Sequence, residues 1–439
     1  MSQPASREQW SSRLGFTLAA VGSAVGLGNM WRFSYLTAEN GGAAFVLLYV
    51  GFTLLIGLPV LLAELALGRG SGRSPIQALM HFGGPRWMPL GGLFVAAGFL
   101  ILAYYSVIAG WTARYTVEAI FVGVPADPAA HFGEISSGAQ AIGWHLLFMA
   151  TVVVIVAGGV RAGIERVSLV LMPLLFALVC ALAIYAATLD GASEGYRFYL
   201  EVDFDKLRSL DVLRQAAGQA FFSLSLGMGA MLTYASYLSR QEHLPNESVI
   251  VAFADFGVAF VAGLAVFPLI FALGLQTQVG ESTVGALFIT LPGAFAELGG
   301  AGRIVAFVFF AALLVGALTS AISLLEVVVS SAIDSFGWSR KVAAVVLGLA
   351  IALLGIPPAM DTDILGWMDT VAGNLFLVFG GLMLSLFVGW RMPDAMAQVT
   401  PGAEGVRWFG LWLWLLRIPV PLALAVVLWQ GLVQLVAGS

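Results

Sequence analysis

The sequence predicts an all-α integral membrane protein with about eleven transmembrane helices. Of its 439 residues, 60% are hydrophobic and only 10% are charged, whereas soluble globular proteins carry roughly 25% charged residues. Apolar runs of about 20 residues, the length that crosses a bilayer core, recur along the whole chain. Backbone groups inside a bilayer must pair within helices or a closed barrel. Continuous apolar runs such as 305–318 lack the alternation of barrel strands, so we predict helices.

Eleven apolar segments mark the predicted spans, and we number them segments one to eleven. They cover residues 14–36, 42–68, 88–122, 141–158, 165–187, 211–238, 247–275, 303–333, 341–356, 366–390 and 409–436. The shorter stretch 285–298 is interrupted by Pro292, and we interpret it as a loop that dips inward. Segment one carries Asn29 and Arg32 and has no small-residue cleavage site, so it is not a removable signal peptide.

The lysines and arginines predict the orientation, because cytoplasmic loops carry an excess of them. With the amino terminus inside, twelve lie on the cytoplasmic side, namely Arg7, Arg13, Arg69, Arg73, Arg86, Arg161, Arg166, Arg240, Arg340, Lys341, Arg391 and Arg407. Five lie on the outer side, namely Arg197, Lys206, Arg208, Arg214 and Arg303. We therefore predict a multi-pass protein of the cell inner membrane with a cytoplasmic amino terminus.

Several classes of function are excluded by what the sequence lacks. It has no G-x-x-x-x-G-K-[ST] loop for a nucleotide phosphate, so an ion or substrate gradient must drive any transport. The four histidines are scattered without metal-ligand spacing. An enzyme would need a nucleophile with a base or a metal cluster, and neither is found, so we predict no enzymatic activity and no nucleic-acid partner. The single cysteine, Cys180, excludes an internal disulfide.

Segment one contains a polar, glycine-rich stretch from Gly22 to Arg32. Each glycine lowers helix stability by about 1 kcal/mol relative to alanine, so three of them within this stretch favour an interruption. A broken helix leaves backbone groups unpaired in mid-membrane, which is tolerated where the break lines a cavity or binds a ligand. The alternative is a helix-packing face made by Gly22 and Gly26, but packing does not explain Asn29 and Arg32.

Segment six contains a second such stretch, from Gln219 to Gly229, where two serines and two glycines interrupt the helix. Segments one and six lie five spans apart, an odd number that gives the two halves opposite orientations. We therefore predict two inverted five-helix repeats, 14–187 and 211–390, followed by an additional helix at 409–436. Paired interruptions in inverted halves indicate the binding site of a transporter. Helix N-termini at the breaks suit an anionic group, and free carbonyls suit a small cation.

Other polar side chains lie within the predicted spans. Thr319 and Ser320 in segment eight are either ligands or hydroxyls that bond back to their own helix. Asp255 lies within segment seven, and an intramembrane carboxylate is costly enough to indicate a function. Glu64 and Glu326 fall under the same rule, with solvation near the cytoplasmic interface as the alternative.

These stretches resemble the neurotransmitter:sodium symporter family. The similarity is carried by Arg7 and Trp10, Gly22 to Arg32, residues 39–42, the segment-six run and residues from Thr319-Ser320 to Asp369. The eleven predicted spans resemble the bacterial amino-acid branch of that family. The resemblance implies a single transporter domain, 1–439, that carries a small amino acid together with sodium by alternating access.

The resemblance also implies two sodium sites. The first would comprise Ala24, Asn29, Ser223, Asp255 and the carboxylate of the substrate itself. The second would comprise Gly22, Val25, Gly316, Thr319 and Ser320, none of which is charged. Because the substrate would complete the first site, its binding would be coupled to that of sodium.

The implied substrate site lies beside these ions. The substrate carboxylate would meet the N–H groups of Leu27 and Gly28 and the hydroxyl of Tyr105. The residues expected around the substrate are Ser23, Ala24, Leu27, Gly28, Ile101, Tyr105, Phe222, Ser223, Ser225, Met228, Ser320 and Leu324. The mostly apolar lining predicts a hydrophobic L-amino acid. Amine carriers of the family place an aspartate at the position of Gly26, so the glycine favours a substrate with its own carboxylate.

Two gates are implied at opposite ends of the transport path. Arg32 and Asp369, under Tyr105 and Phe222, would close the outer side. Arg7 and Asp334, near Trp10 and Tyr237, would close the inner side. Exposed ion pairs are individually weak, which suits gates that must open. Gly163 and Pro173 resemble the helix-five motif of the family, where local unwinding would admit water to the second sodium site.

Asp255 departs from the family, which usually has asparagine at this position, and Ala259 replaces the serine of chloride-dependent members. The carboxylate would supply the negative charge that chloride supplies elsewhere, so we predict chloride-independent transport. Its protonation after sodium leaves would permit proton counter-transport. Two alternatives stay open: a proton-coupled symporter of the same fold, and a membrane protein that binds an amino acid without transporting it.

Overall fold

The computed structural model describes residues 8–275, 283–399 and 407–437 of the chain. Within these ranges every regular element is a helix. Eight helices are long and apolar enough to cross a membrane: Ala43–Ser71, Pro85–Phe121, Gly138–Ala157, Val160–Ala186, Leu244–Ala272, Gly299–Phe336, Thr362–Trp390 and Trp408–Val433. They correspond to the predicted segments two to five, seven, eight, ten and eleven.

The three remaining segments are interrupted or short. Segment one consists of Arg13–Ala24 and Gly28–Glu39, which meet at an angle of 64° and together form a ninth span. Segment six is divided into Leu210–Ser223 and Ala230–Ala235, and segment nine is the 15-residue helix Arg340–Leu354. Because the described parts of segments six and nine are shorter than a full span, the total of eleven stays a prediction.

The stretch 285–298 differs from the predicted loop. It is helical, with a π-helical turn at Ala286–Thr290 followed by the α-helix Leu291–Glu297. Its apolar side chains are buried, and the carbonyl of Phe288 accepts a hydrogen bond of 2.8 Å from the hydroxyl of Tyr115 in segment three. Pro292 lies in the first turn of this α-helix, a position where proline is well tolerated. The inward position was predicted, but the helical conformation was not.

Shorter helices connect the spans and complete the fold. They include Pro75–Gly83, Pro128–Ile135, Ala192–Leu200, Ile356–Met360 and Ala395–Val399. In the interior, segment three packs along segment eight, and segment one lies against segments five, seven and eight. Both parts of segment six pack against segment two. The two interrupted helices are therefore enclosed by continuous ones.

The interruption of segment one falls at residues 25–27. Val25 is in an extended conformation with ψ of 110°, and the helix resumes after Leu27. The N–H of Gly26 is not left unpaired, because it donates to Asn29 Oδ1 at 3.0 Å. A side chain from the same stretch thus pairs a backbone N–H within the break.

The interruption of segment six covers residues 224–229 and contains three residues with positive φ. These are Ser225 at 53°, Gly227 at 81° and Gly229 at 73°. Glycine adopts this region without steric cost, and at Gly227 an added Cβ would also lie 2.1 Å from the carbonyl oxygen of Leu377. Close contact with segment ten and the left-handed backbone therefore both require glycine here.

Glu64 supports the interrupted part of segment six. Its Oε1 accepts from the N–H of Gly227 at 2.8 Å, and its Oε2 accepts from the N–H of Leu232 at 3.2 Å. The side chain is fully buried, as is that of Glu326, which forms an ion pair with Arg340 at 2.7 Å. Neither carboxylate is solvated, so both groups belong to the interior of the bundle.

We expect Glu64→Gln to destabilise the protein. The amide keeps one acceptor but directs an NH2 group at a backbone N–H, and a lost buried hydrogen bond to a charged group costs about 2 kcal/mol. The midpoint of thermal unfolding in detergent should fall relative to the wild type, whereas the exposed Glu194→Gln should leave it unchanged. Equal midpoints for the wild type and Glu64→Gln would contradict this role.

Candidate functional site

A cavity of about 380 Å³ lies between the two helix breaks. Of the twelve residues predicted around the substrate, all but Ser23 line it. Lining residues that were not predicted include Tyr104, Ile108, Leu287, Phe288 and Ser323. Leu287 and Phe288 come from the inward-dipping helix, so this element covers one side of the cavity.

Three of the four residues predicted for the first sodium site lie in one hydrogen-bonded cluster beside the cavity, and the fourth, Ala24, lines the cavity itself. Asn29 Nδ2 donates to Asp255 Oδ1 at 2.6 Å and to Ser223 Oγ at 3.0 Å. Ser223 Oγ lies 2.7 Å from Asp255 Oδ2. All three side chains are at most 2% exposed. Segments one, six and seven thus bring their polar groups together within the apolar bundle.

Tyr49 is a member of this cluster that sequence reasoning missed. Its hydroxyl lies 3.0 Å from Ser223 Oγ and 3.3 Å from Asp255 Oδ2, and the residue is fully buried. Tyr49 comes from segment two, which supplied no residue to the predicted site. The only signal in the sequence is one hydroxyl in an apolar run, which is too weak to separate a ligand from a packing aromatic.

The residues predicted for the second sodium site surround the start of the break in segment one. Ser320 Oγ lies 3.4 Å from the carbonyl oxygen of Gly22 and 3.3 Å from that of Val25. O–H···O bonds are normally about 2.5–3.0 Å long, and one hydroxyl hydrogen cannot serve two carbonyls well. The carbonyls therefore retain acceptor capacity that suits a small cation.

Thr319 and Gly316 complete the second cluster from segment eight. Thr319 Oγ1 lies 3.1 Å from the carbonyl oxygen of Gly316, so it bonds back to its own helix, as the structural alternative predicted. Gly316 faces segment one closely, since an added Cβ would lie 3.6 Å from the Cα of Gly26. The geometry is compatible with Thr319 as a sodium ligand and with Thr319 as a hydroxyl that bonds only to its own helix.

The predicted outer gate residues face the same cavity but have other partners. The guanidinium of Arg32 lies over the ring of Phe222, 4.2 Å from its centroid. Asp369 Oδ1 accepts a hydrogen bond of 2.8 Å from the hydroxyl of Tyr104, the neighbour of the predicted Tyr105. Among the described ion pairs, none joins Arg32 to Asp369. Their closure of the outer path stays a prediction.

The predicted inner gate is only partly within the described residues. Trp10 Nε1 donates to the carbonyl of Tyr234 at 2.9 Å, and its ring packs edge-on against Tyr237. Asp334 accepts a hydrogen bond of 2.6 Å from the N–H of Ser74. Arg7 lies outside the described residues, so its pairing with Asp334 stays a prediction.

Residues 8–12 are bonded to the turn 160–165 at the start of segment five, and we call this contact the amino-terminal clasp. Glu8 Oε2 accepts from the N–H of Val160 at 2.7 Å. Glu165 Oε1 accepts from the hydroxyls of Ser11 and Ser12 at 2.7 and 2.9 Å. The turn itself is helical, so the implied unwinding at Gly163 is not seen in this conformation.

Fold and site together define a secondary transporter, in which two broken helices of opposite orientation enclose a cavity and oxygen-lined clusters. The chain belongs to the sodium:neurotransmitter symporter family, whose model matches residues 7–132 and 129–438. The family predicted from the sequence is therefore confirmed, and the chain is a multi-pass membrane transporter.

Relatives and a solved structure resemble the chain over nearly its full length. It is 37% identical to the "uncharacterized sodium-dependent transporter YhdH" of Bacillus subtilis, over 95% of this chain and 96% of that protein. It is 36% identical to the "uncharacterized sodium-dependent transporter MJ1319" of Methanocaldococcus jannaschii, over 92% and 86%. The crystal structure of MhsT in complex with L-phenylalanine is similar with a TM-score of 0.88 and 44% identity, covering 97% of this chain and 100% of that one. This similarity confirms the predicted fold class.

We expect Gly26→Ala to weaken ligand binding in the cavity. An added Cβ would lie 2.8 Å from Ser320 Oγ and 3.1 Å from the hydroxyl of Tyr105. Overpacking of this kind costs about 1–3 kcal/mol, so affinity for a labelled amino-acid ligand should fall by about tenfold. The control is Gly92→Ala in segment three, where a Cβ meets no atom within 4 Å. Equal ligand affinities of Gly26→Ala and Gly92→Ala would contradict the close approach of Gly26 to Ser320 and Tyr105.

Proposed function

We propose that the protein is a sodium-coupled symporter of hydrophobic L-amino acids that works by alternating access. It lies in the cell inner membrane with its amino terminus in the cytoplasm, and it binds two sodium ions. The observation that carries this proposal is the cluster of Asn29, Ser223 and Asp255, which borders the cavity at the point where both helices are broken.

The break in segment one offers a place for a zwitterionic ligand. Helix N-termini attract anions, and the resumed helix begins beside Leu27 and Gly28, both of which line the cavity. The N–H of Leu27 lies 3.5 Å from the hydroxyl of Tyr105. Because Gly26 leaves no side chain there, a substrate carboxylate has room between the helix end and the first cluster. Such a carboxylate would complete the coordination of sodium, which couples the two binding events.

The apolar part of the cavity supports a hydrophobic side chain. Ile101, Met228 and Leu324 line it together with aromatic residues, and burial of apolar surface stabilises by about 25 cal/mol per Å². The solved relative MhsT holds L-phenylalanine, an amino acid of this kind. Both observations favour an apolar L-amino acid over a charged one.

Asp255 supports sodium-coupled transport that does not require chloride. A fixed carboxylate close to Ser223 and Tyr49 places a negative charge where a bound anion would otherwise be needed to balance sodium. Protonation of the buried Asp255 carboxyl group after sodium leaves would also permit proton counter-transport.

Uptake into proteoliposomes tests the proposal. A labelled hydrophobic amino acid should accumulate with an inward sodium gradient and not when choline replaces sodium. Replacement of chloride by gluconate should leave uptake unchanged, because Asp255 supplies the charge. Uptake that does not depend on sodium would refute the symport. A sharp loss of uptake when gluconate replaces chloride would refute only the chloride independence.

Two variants separate the two sodium sites. Asn29→Ala removes the group that bonds both Ser223 and Asp255, so sodium and substrate affinity should fall together. Thr319→Ala lies in the second cluster and should weaken sodium binding with a smaller effect on substrate. Equilibrium binding of labelled substrate across a sodium titration measures both effects. Identical profiles of the two variants would argue against separate sites.

A further inference from the structure

The part of the cavity lined by segment eight contains more hydroxyl groups than an apolar ligand requires. Ser320 and Ser323 both line it, together with Ser225 of segment six. Ser23 lies directly behind Ser323, with 2.7 Å between the two Oγ atoms. Ser323 belongs to neither sodium cluster and was not predicted, so its place in the lining needs its own explanation.

The hydroxyl hydrogens of Ser323, Ser23 and Ser225 are all used in hydrogen bonds within the protein. A serine hydroxyl donates one hydrogen and accepts with two lone pairs. Ser323 Oγ lies 2.8 Å from the carbonyl oxygen of Ser320, which can only accept, so Ser323 must donate there. Ser23 must then be the donor to Ser323, because the hydrogen of Ser323 is already used. Ser225 Oγ donates to the carbonyl of Ser23 at 2.9 Å.

We propose that Ser323 Oγ accepts a hydrogen bond from the substrate side chain and so selects an apolar amino acid that carries one hydrogen-bond donor. The inference rests on the proposed amino-acid transport. After the bond from Ser23, Ser323 keeps one lone pair and no hydrogen. A donor that enters the cavity loses its water and needs an acceptor, since an unpaired buried polar group is costly.

The chemistry of this lining separates classes of side chain. An indole N–H or a phenol O–H gains an acceptor at Ser323 while its apolar body contacts Ile101, Met228 and Leu324. A side chain whose tip can only accept, such as a carboxylate, finds no donor at Ser323, Ser23 or Ser225. The substrate class is therefore aromatic amino acids with a donor on the ring system.

A purely structural role for Ser323 is the simplest alternative. Serines in membrane helices commonly bond back to the preceding turn. Ser385 in segment ten provides a matched case, because its Oγ donates to the carbonyl of Leu382 at 2.7 Å, also three residues back, and it is fully buried. Ser385 does not belong to the cavity lining. A structural role would make the two serines equivalent, whereas a ligand role distinguishes them.

Two ligand pairs test the proposal by competition for a labelled amino acid in the full-length protein with sodium present. The first pair is L-tyrosine and L-phenylalanine, and the second is L-tryptophan and its benzothienyl analogue, in which sulfur replaces the N–H. The ratio of the two affinities within each pair is measured for the wild type, Ser323→Ala and Ser385→Ala. Comparison of ratios isolates the contact between the donor and Ser323.

We expect Ser323→Ala to lower the relative affinity of the donor-bearing ligand by about fivefold or more in at least one pair, because the buried donor loses its acceptor. Ser385→Ala should leave both ratios unchanged. Unchanged ratios in Ser323→Ala, or an equal fall in Ser385→Ala, would overturn the proposal. If Ser323→Ala does not fold, Ser323→Cys replaces it, since sulfur is a weak acceptor. Sodium-independent binding of every amino acid would instead refute the proposed function itself.

Discussion

The structure depends on how the backbone groups released at two helix breaks are satisfied inside the bilayer. No water is available there, so each free N–H or carbonyl needs a partner from the protein or a ligand. Side chains supply some of these partners: Asn29 accepts from the N–H of Gly26 in the break of segment one, and Glu64 accepts from two N–H groups of segment six. The remaining carbonyls, at Gly22 and Val25, have only long contacts with Ser320. The protein thus satisfies some of its own donors and keeps the carbonyls of Gly22 and Val25 as acceptors for a cation.

The two breaks also hold each other in position. Asn29 of segment one bonds Ser223 of segment six at 3.0 Å, and Ser225 of segment six bonds the carbonyl of Ser23 in segment one at 2.9 Å. Ser225 adopts a left-handed conformation, which costs about 1–3 kcal/mol for a residue other than glycine. A serine there is explained by the bond that its hydroxyl makes. Asn29, Ser223 and Ser225, whose contacts stabilise the interrupted helices, also form part of the cavity wall.

Sequence reasoning found the breaks but not all of their partners. Glycine-rich stretches, an intramembrane Asn and two serines are local signals, so they located both interruptions, whereas the predicted cavity lining came from the family resemblance. Tyr49 and Glu64 act across more than 160 positions of the chain, and no local pattern reports which distant backbone group they meet. Tyr104 and Tyr105 are adjacent, yet about 100° of helix rotation separates them, so one bonds Asp369 and the other faces Leu27.

The helix Arg13–Ala24 connects the second cluster to the amino-terminal clasp. At 12 residues it is about 18 Å long, and it carries the carbonyl of Gly22 near one end. At its other end Ser12 caps the helix and bonds Glu165 of segment five. Helices are stiff over this length. A displacement of this helix that breaks the amino-terminal clasp would therefore also move the carbonyl of Gly22, which faces Ser320. Glu165 lies two residues from Gly163 in the turn where the family motif implies unwinding, so unwinding there withdraws the carboxylate that holds Ser11 and Ser12. If the turn at Gly163 unwinds, we therefore expect loss of the amino-terminal clasp and displacement of the Gly22 carbonyl to occur together.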